Sequence, residues 1–270
     1  MIVPVTVSDT VISHAAKFRS HGRFPVASFV HPMTGAVLAR SSQPASGLAG
    51  MKRSAQDEYL VKQTVNDPVI VDARCMSSAM ANALRGWGTE TPEHYGSTMN
   101  TIVYLNLANI HGTREAVNDL SKWQATVERL LVGARVVKDY ILNGRSVLVH
   151  CSDGWDRTPQ LTSLVELMLL KEIGSADSGD SSDGTSTVNT DKLLDIIARE
   201  WIIMGHRFTT RHAMFGNNLK DMNEQSPIFK QFIDAVRLLD IYDPDFLTRL
   251  VYESYDPKGP FFGDCDRDRL

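Results

Sequence analysis

A histidine, a cysteine, two aspartates and an arginine fall within nine residues, "HCSDGWDRT", running from His150 to Thr158. The segment follows the apolar run Ser-Val-Leu-Val and precedes a helical pattern. A strand, a Cys-x5-Arg loop and a helix N-terminus make an anion cradle, because backbone N–H groups through Ser152, Gly154 and Trp155 curl around an oxyanion. The helix dipole adds positive potential, and the Arg157 guanidinium grips two phosphate oxygens at once. A thiolate is itself an anion, so the same field favours ionised Cys151 as a phosphate-attacking nucleophile. Arg157 would then hold the equatorial oxygens as charge redistributes in the transition state. A buried structural cysteine beside a surface arginine gives the same letters by chance, but chance does not also supply the strand and the helix start. His150 either orients the loop and helps hold the thiolate, or is a satisfied core histidine.

Asp153 and Asp156 sharpen the chemistry. Two carboxylates beside a phosphate dianion persist only if one is protonated or turned toward substrate hydroxyls. A carboxylic acid next to a phosphate ester is a general acid for the leaving oxygen, which an alkyl alcohol needs far more than a phenol. The loop therefore points to an alkyl phosphate such as a sugar or inositol. Trp155 either shapes the loop by packing, the expected role, or lies at a membrane interface beside a headgroup.

The surrounding elements read as α/β. Ser8 caps a short helix that closes near Gly22, and "FPVASFVHPMTGAVLARS" reads as a hairpin. "PVIVDAR", "TIVYLNL" and "SVLVH" read as strands, the second buried on both faces because it hardly alternates. A helix opens at Ser121, with Gln124 at capping-box spacing, and stops at Asn143-Gly144. Thr158-Pro159 fits N-cap and N1 of a helix reaching Gly174. Further helices are predicted from about Asp191 to His212 and from Ser226-Pro227. Gly174 to Thr190 is polar and low in complexity, and is predicted to be a mobile loop. Its aspartates lack calcium-loop spacing. Strands alternating with helices predict a single domain over residues 1–270, with a central mixed sheet flanked by helices.

Composition limits the partners. With 28 Lys plus Arg and 32 Asp plus Glu, the formal charge is 28 − 32 = −4, which gives no electrostatic case for nucleic acid. Cys75, Cys151 and Cys265 are dispersed and too few to staple the chain, favouring a reducing compartment. Cys75 reads as a buried small hydrophobe and Cys265 as an exposed bystander. Neither a secretory signal nor a membrane span is expected.

"VLVHCSDGWDRT" followed by "QLTSL" resembles the myotubularin-related lipid phosphatases, a branch of the cysteine-dependent phosphatase superfamily. "FRSHGRFPVASFVHPMTGAVLARSSQP", "DAR" with "AMAN", "NIHGTRE", "EWIIMGHRF" and "SPIFKQFIDAV" are similar to family blocks in family order, over roughly residues 1–240. The resemblance implies removal of the 3-phosphate from phosphatidylinositol 3-phosphate and phosphatidylinositol 3,5-bisphosphate, with no metal or other cofactor. It implies Cys151 as nucleophile, Arg157 as phosphate clamp, Asp156 as general acid and Asp153 as a second acid near the inositol ring. Arg207 and Arg211 align with arginines that meet the lipid's other phosphate, and i, i+4 spacing would put both on one helix face. Asn82 and Asn109 match asparagines that contact the headgroup, although an asparagine bonded to its own backbone is the ordinary alternative. A cytoplasmic protein, peripheral at endosomal-type membranes, follows, with a family phosphatase as the partner class. The family's N-terminal lipid-binding domain is not in this sequence, no coiled coil is expected, and Gly174–Thr190 reads as an insertion. Two rivals remain at this stage: a tyrosine or dual-specificity protein phosphatase, and an inactive lipid-binding pseudophosphatase.

Overall fold

Among the described residues, short runs rich in apolar side chains form five strands: β1 (Val26–Val30), β2 (Val37–Ser41), β3 (Val69–Asp72), β4 (Ile102–Tyr104) and β5 (Val147–His150). A computed structural model describes residues 2–99, 102–177, 189–212, 223–256 and 262. The sheet order is β1-β2-β5-β3-β4, antiparallel between β1 and β2 and parallel elsewhere. β5 is therefore central, with Leu148 opposite Ala39 on one side and Ile70 on the other. All four residues of β5 and of β3 are buried, which is why both read as unbroken apolar runs. β4 departs from expectation. Its three residues are only half-buried, because among the described strands it pairs with β3 alone and ends the sheet.

The α-helices among the described residues are α1 (Asp9–Phe18), α2 (Ala55–Thr64), α3 (Met76–Ala83), α4 (Ile110–Ala116), α5 (Leu120–Leu142), α6 (Arg157–Asp177), α7 (Thr190–Ile197), α8 (Phe208–Arg211), α9 (Ile228–Arg237) and α10 (Pro244–Ser254). None of them is long and apolar enough to cross a membrane. Residues 1–107 with 136–162 form one compact unit and 108–135 with 163–270 a second, the divisions falling within α5 and α6. In the first unit, Val61 of α2 and Val65 just after it pack with Ala39, Ile70, Leu148 and Tyr95 against the sheet, and Leu60 meets Ala15 of α1. The second unit is built around Trp201, whose indole stands 5.0 Å from Phe229 and 4.9 Å from Phe232. Its Nε1–H donates to Ser163 Oγ at 3.0 Å, so the ring is buried with its donor satisfied.

Several helix ends differ from the sequence reading, each for a local reason. The cap of α5 is Asp119, whose Oδ1 accepts from the N–H groups of Ser121 and Lys122, because a carboxylate is a better acceptor than the Ser121 hydroxyl. α6 opens two residues earlier than expected, at Arg157, which leaves Thr158 and Pro159 inside its first turn. There the missing proline N–H has no helical partner to lose. α6 also continues past Gly174 to Asp177, and residues 178–188 of the expected mobile loop lie outside those described. The single helix expected from Asp191 to His212 is three pieces, since α7 passes into a π-helical turn at Ala198–Ile203 and Gly205, at φ 71°, stops it before α8. α9 starts at Ile228, and Ser226 spends its hydroxyl on the Ile110 carbonyl instead of a cap. α10, capped by Asp243 with Pro244 at its first position, is an addition to the expected set.

Candidate active site

The central strand delivers the loop. β5 ends at His150, and Cys151 follows with only 3% of its surface exposed. Two donors converge on its sulfur: the Gly154 N–H at 3.3 Å and the Thr158 hydroxyl at 3.2 Å. Gly154 makes that turn at φ 78°, where an added Cβ would lie 2.7 Å from the Ser41 carbonyl oxygen. Only glycine fits both constraints. Its carbonyl is held on the other side by Arg40 Nη2 at 2.6 Å and Arg23 Nη2 at 3.0 Å. These two arginines anchor the peptide that follows the one whose N–H faces the sulfur, and so hold the turn from both sides of the Gly154 Cα.

The remaining loop side chains divide into two groups. Asp153 Oδ1 accepts from Ser20 Oγ at 2.9 Å and stands 3.6 Å from His21 Nε2, so this carboxylate is tethered to the turn after α1. The His21 ring in turn lies 4.5 Å from Trp155, and the Arg23 guanidinium 5.8 Å from it, so Trp155 takes the packing role within this turn. Asp156 is buried, and its carbonyl accepts from Gln160 N to begin α6. Arg157 is half-buried, with Nη2 3.5 Å from Ser152 Oγ, and the Ser152 carbonyl accepts from Gln43 N at 2.9 Å.

Beneath the loop lies a buried ion cluster. Arg19 binds both oxygens of Asp57, at 2.8 and 2.6 Å, and reaches Glu90 at 2.5 Å. Glu90 Oε2 is 2.8 Å from His150 Nε2, an ion-pair contact without straight hydrogen-bond alignment. Asp72 stands 3.9 Å from the same nitrogen and holds Arg74 in a forked pair. Arg74 continues to the Gln43 amide oxygen, which Asn82 also reaches at 3.1 Å. Both His150 ring nitrogens face oxygens, since Nδ1 is 3.0 Å from the Cys151 carbonyl. Such a ring carries two protons. Burial opposes that charge, but Glu90 and Asp72 outweigh it and raise the His150 pKa. Glu90, despite its burial, is held well below the usual carboxylate range by His150 and Arg19. Burial likewise opposes the Arg74 charge, and Asp72, with smaller contributions from Cys151 and Glu90, raises its pKa. With His150 protonated, Arg19, Arg74 and His150 balance Asp57, Asp72 and Glu90, three charges against three.

Residues 1–122 and 117–270 match the model of the myotubularin-like phosphatase domain. The chain belongs to the myotubularin-like phosphatase family. It is 35% identical over 263 residues to phosphatidylinositol-3,5-bisphosphate 3-phosphatase MTMR2 of Bos taurus, covering 87% of this chain and 38% of that protein. To the MTMR2 of Gallus gallus the identity is again 35%, over 87% of this chain and 43% of the relative. To phosphatidylinositol-3,5-bisphosphate 3-phosphatase MTMR3 of Caenorhabditis elegans it is 34% over 273 residues, 90% of this chain and 25% of the relative. The chain thus spans less than half the length of these curated relatives.

The residues assigned to the headgroup through the myotubularin resemblance fare differently from the loop. Asn82 is tied into the cluster through Gln43. Asn109 is the cap of α4, its Oδ1 accepting from Gly112 N at 3.0 Å, which is the ordinary asparagine role. Arg207 precedes α8, a helix of four residues that ends at Arg211. The two arginines therefore do not share a face of one continuous helix. Arg211 is buried and paired with Glu224 Oε2 at 3.0 Å. Cys75 is not the buried hydrophobe expected. It stands half-buried at the start of α3, where the Ser77 and Ser78 hydroxyls lower its thiol to about 7. Cys265 lies outside the described residues. Sequence reasoning missed Thr158 as a sulfur ligand, Arg40 and Arg23 as carbonyl anchors, and the whole cluster from Asp57 to Arg74. The available signal was "FRSHGR" and "VDAR", charged residues set among apolar ones.

Proposed function

We propose that this myotubularin-family chain removes the 3-phosphate of phosphatidylinositol 3-phosphate and of phosphatidylinositol 3,5-bisphosphate through a cysteinyl-phosphate intermediate. The observation that carries this reading is the convergence of the Gly154 N–H and the Thr158 hydroxyl on Cys151 Sγ, at the start of α6. Donors so placed stabilise a thiolate before attack. The names of the relatives supply the lipid and the position of the phosphate.

In this mechanism the thiolate attacks phosphorus, the bond to the inositol oxygen breaks, and Asp156 gives that oxygen its proton. Arg157 and the loop N–H groups hold the three equatorial oxygens throughout. Water, deprotonated by the Asp156 carboxylate, then attacks the phosphocysteine, breaking the S–P bond and returning the thiolate. Asp156 is assigned the proton through the family resemblance, and Asp153, which accepts from Ser20 Oγ and faces His21, is the second acid near the inositol ring. Asn82, Asn109, Arg207 and Arg211 stay as the headgroup residues that the family resemblance implies, with Arg211 Nη1 paired to Glu224. The same reading places the chain at the surface of endosomal-type membranes, where its substrate would be presented.

Parallel rates of Asp153→Asn and Asp156→Asn on the lipid and on an aryl phosphate test the assignment. Asp156→Asn is expected to lower lipid turnover about 10²- to 10⁴-fold and aryl turnover far less, because a phenolate leaves without a proton. Asp153→Asn should act mainly on KM for the lipid. Equal loss on both substrates for Asp156→Asn would remove it as the acid.

A further inference from the structure

α3 carries an exposed apolar stripe. Met76, Met80 and Leu84 recur every four residues, so they share one face of the helix, and that face is turned to solvent. Leu48 and Met51 extend the same surface, since the loop bearing them is laced to the end of α3. Leu48 N donates to the Ala83 carbonyl at 2.9 Å, and Gly47 N to the Gly86 carbonyl at 3.2 Å. Gly50 packs so closely there that an added Cβ would lie 2.1 Å from the Gly86 oxygen. The five side chains are between 53% and 75% exposed. A contiguous apolar surface of this kind on a water-soluble face marks an interaction site.

What covers it follows from its rim and its neighbour. Lys52 and Arg85, both exposed, flank the patch in sequence next to Met51 and Leu84. The acids nearest in the chain are engaged elsewhere: Glu58 with Arg53, and Asp57 and Glu90 with Arg19. α3 is also continuous with the catalytic loop, because Asn82 bonds Gln43, and Gln43 N bonds the Ser152 carbonyl. Unbranched methionines adapt to a disordered medium, and an apolar face rimmed by cations suits the boundary between headgroups and acyl chains.

We infer that the α3 face, with Leu48 and Met51, inserts into an anionic bilayer and thereby sets the catalytic loop at the depth of a lipid headgroup. The inference rests on the lipid-phosphatase reading, but its test separates the two. Flotation of the full chain with phosphatidylcholine vesicles, with and without phosphatidylserine, reads membrane binding with no turnover involved. Phosphate release from short-chain soluble substrate and from the same lipid in vesicles reads catalysis. For Met80→Asp combined with Leu84→Asp, flotation with anionic vesicles and vesicle turnover should both fall about tenfold or more. Turnover of the soluble substrate should stay within about twofold, since neither residue touches the cradle. Leu48→Asp alone should act in the same direction, and high salt should weaken wild-type flotation. Unchanged flotation would overturn the proposal, as would equal loss on soluble and vesicle substrates. A self-association that the double variant abolishes while flotation persists would overturn it too, assigning the face to a second copy of the chain. If wild-type protein floats but hydrolyses neither substrate, the docking surface stands and the lipid-phosphatase reading fails.

Discussion

Cys151→Ser should lower phosphate release from phosphatidylinositol 3-phosphate at least about 10⁴-fold, roughly 5.4 kcal/mol of transition-state stabilisation, while barely changing the fold. The two halves of that expectation have separate causes. An alcohol gives up its proton far less readily than a thiol, and the Gly154 N–H and Thr158 hydroxyl are placed to stabilise an anion that serine does not form. For stability, the same two donors can bond a serine oxygen, and the residue is too small and too buried for the exchange to open a cavity. Steady-state phosphate release and a thermal melt check both halves. Retention of activity within tenfold would mean that another group attacks phosphorus.

Loss of Glu90 should have the largest effect on stability. Glu90→Ala strips both Arg19 and His150 of a buried partner, and breaking a buried ion pair costs about 3–5 kcal/mol. In a chain of this size about 2–4 °C of Tm accompanies each kcal/mol, so a fall of about 6 °C or more is expected. The pH dependence has a definite sign. His150 has its folded pKa raised above 6.5, so its contribution is fully present below pH 6.5 and is lost as pH rises through the folded value. Glu90 has its folded pKa depressed below 4.5, so its contribution is present above pH 4.5 and is lost as pH falls through the folded value. The Tm difference between wild type and Glu90→Gln should therefore be widest between pH 4.5 and 6.5 and shrink above it. Taking the difference cancels His212, which burial lowers to about 4 and which destabilises both proteins alike on acidification. A difference that stays constant from pH 5 to 9 would contradict a buried imidazolium at His150.

The parts of the site that sequence revealed are those with local causes. β5 and the start of α6 are a buried strand and a helix N-terminus, and both are written in the period and in the residues that flank them. Cys151, Asp153, Gly154, Asp156 and Arg157 lie within seven positions, so their proximity needs no tertiary information. Gly154 was legible as part of the cradle, but not the reason for it, the carbonyl of Ser41 on the neighbouring strand. Arg19, Asp57 and Glu90 were illegible because charged residues far apart in a chain read as solvated, and only the tertiary packing of the first unit brings them together beside His150. Periodicity also misled where a short-range exception overrode it. Gly205 and the π-helical turn end the run expected from Asp191 and leave Arg207 as the non-helical cap of a four-residue helix, and β4 is apolar throughout yet ends the sheet.

The most direct test of phosphoinositide 3-phosphatase chemistry is the identity of the product from phosphatidylinositol 3,5-bisphosphate. Incubation with the wild-type chain should yield phosphatidylinositol 5-phosphate and inorganic phosphate, with neither formed by Cys151→Ser. Formation of phosphatidylinositol 3-phosphate instead, or turnover of a phosphotyrosyl peptide far exceeding that of the lipid, would contradict it.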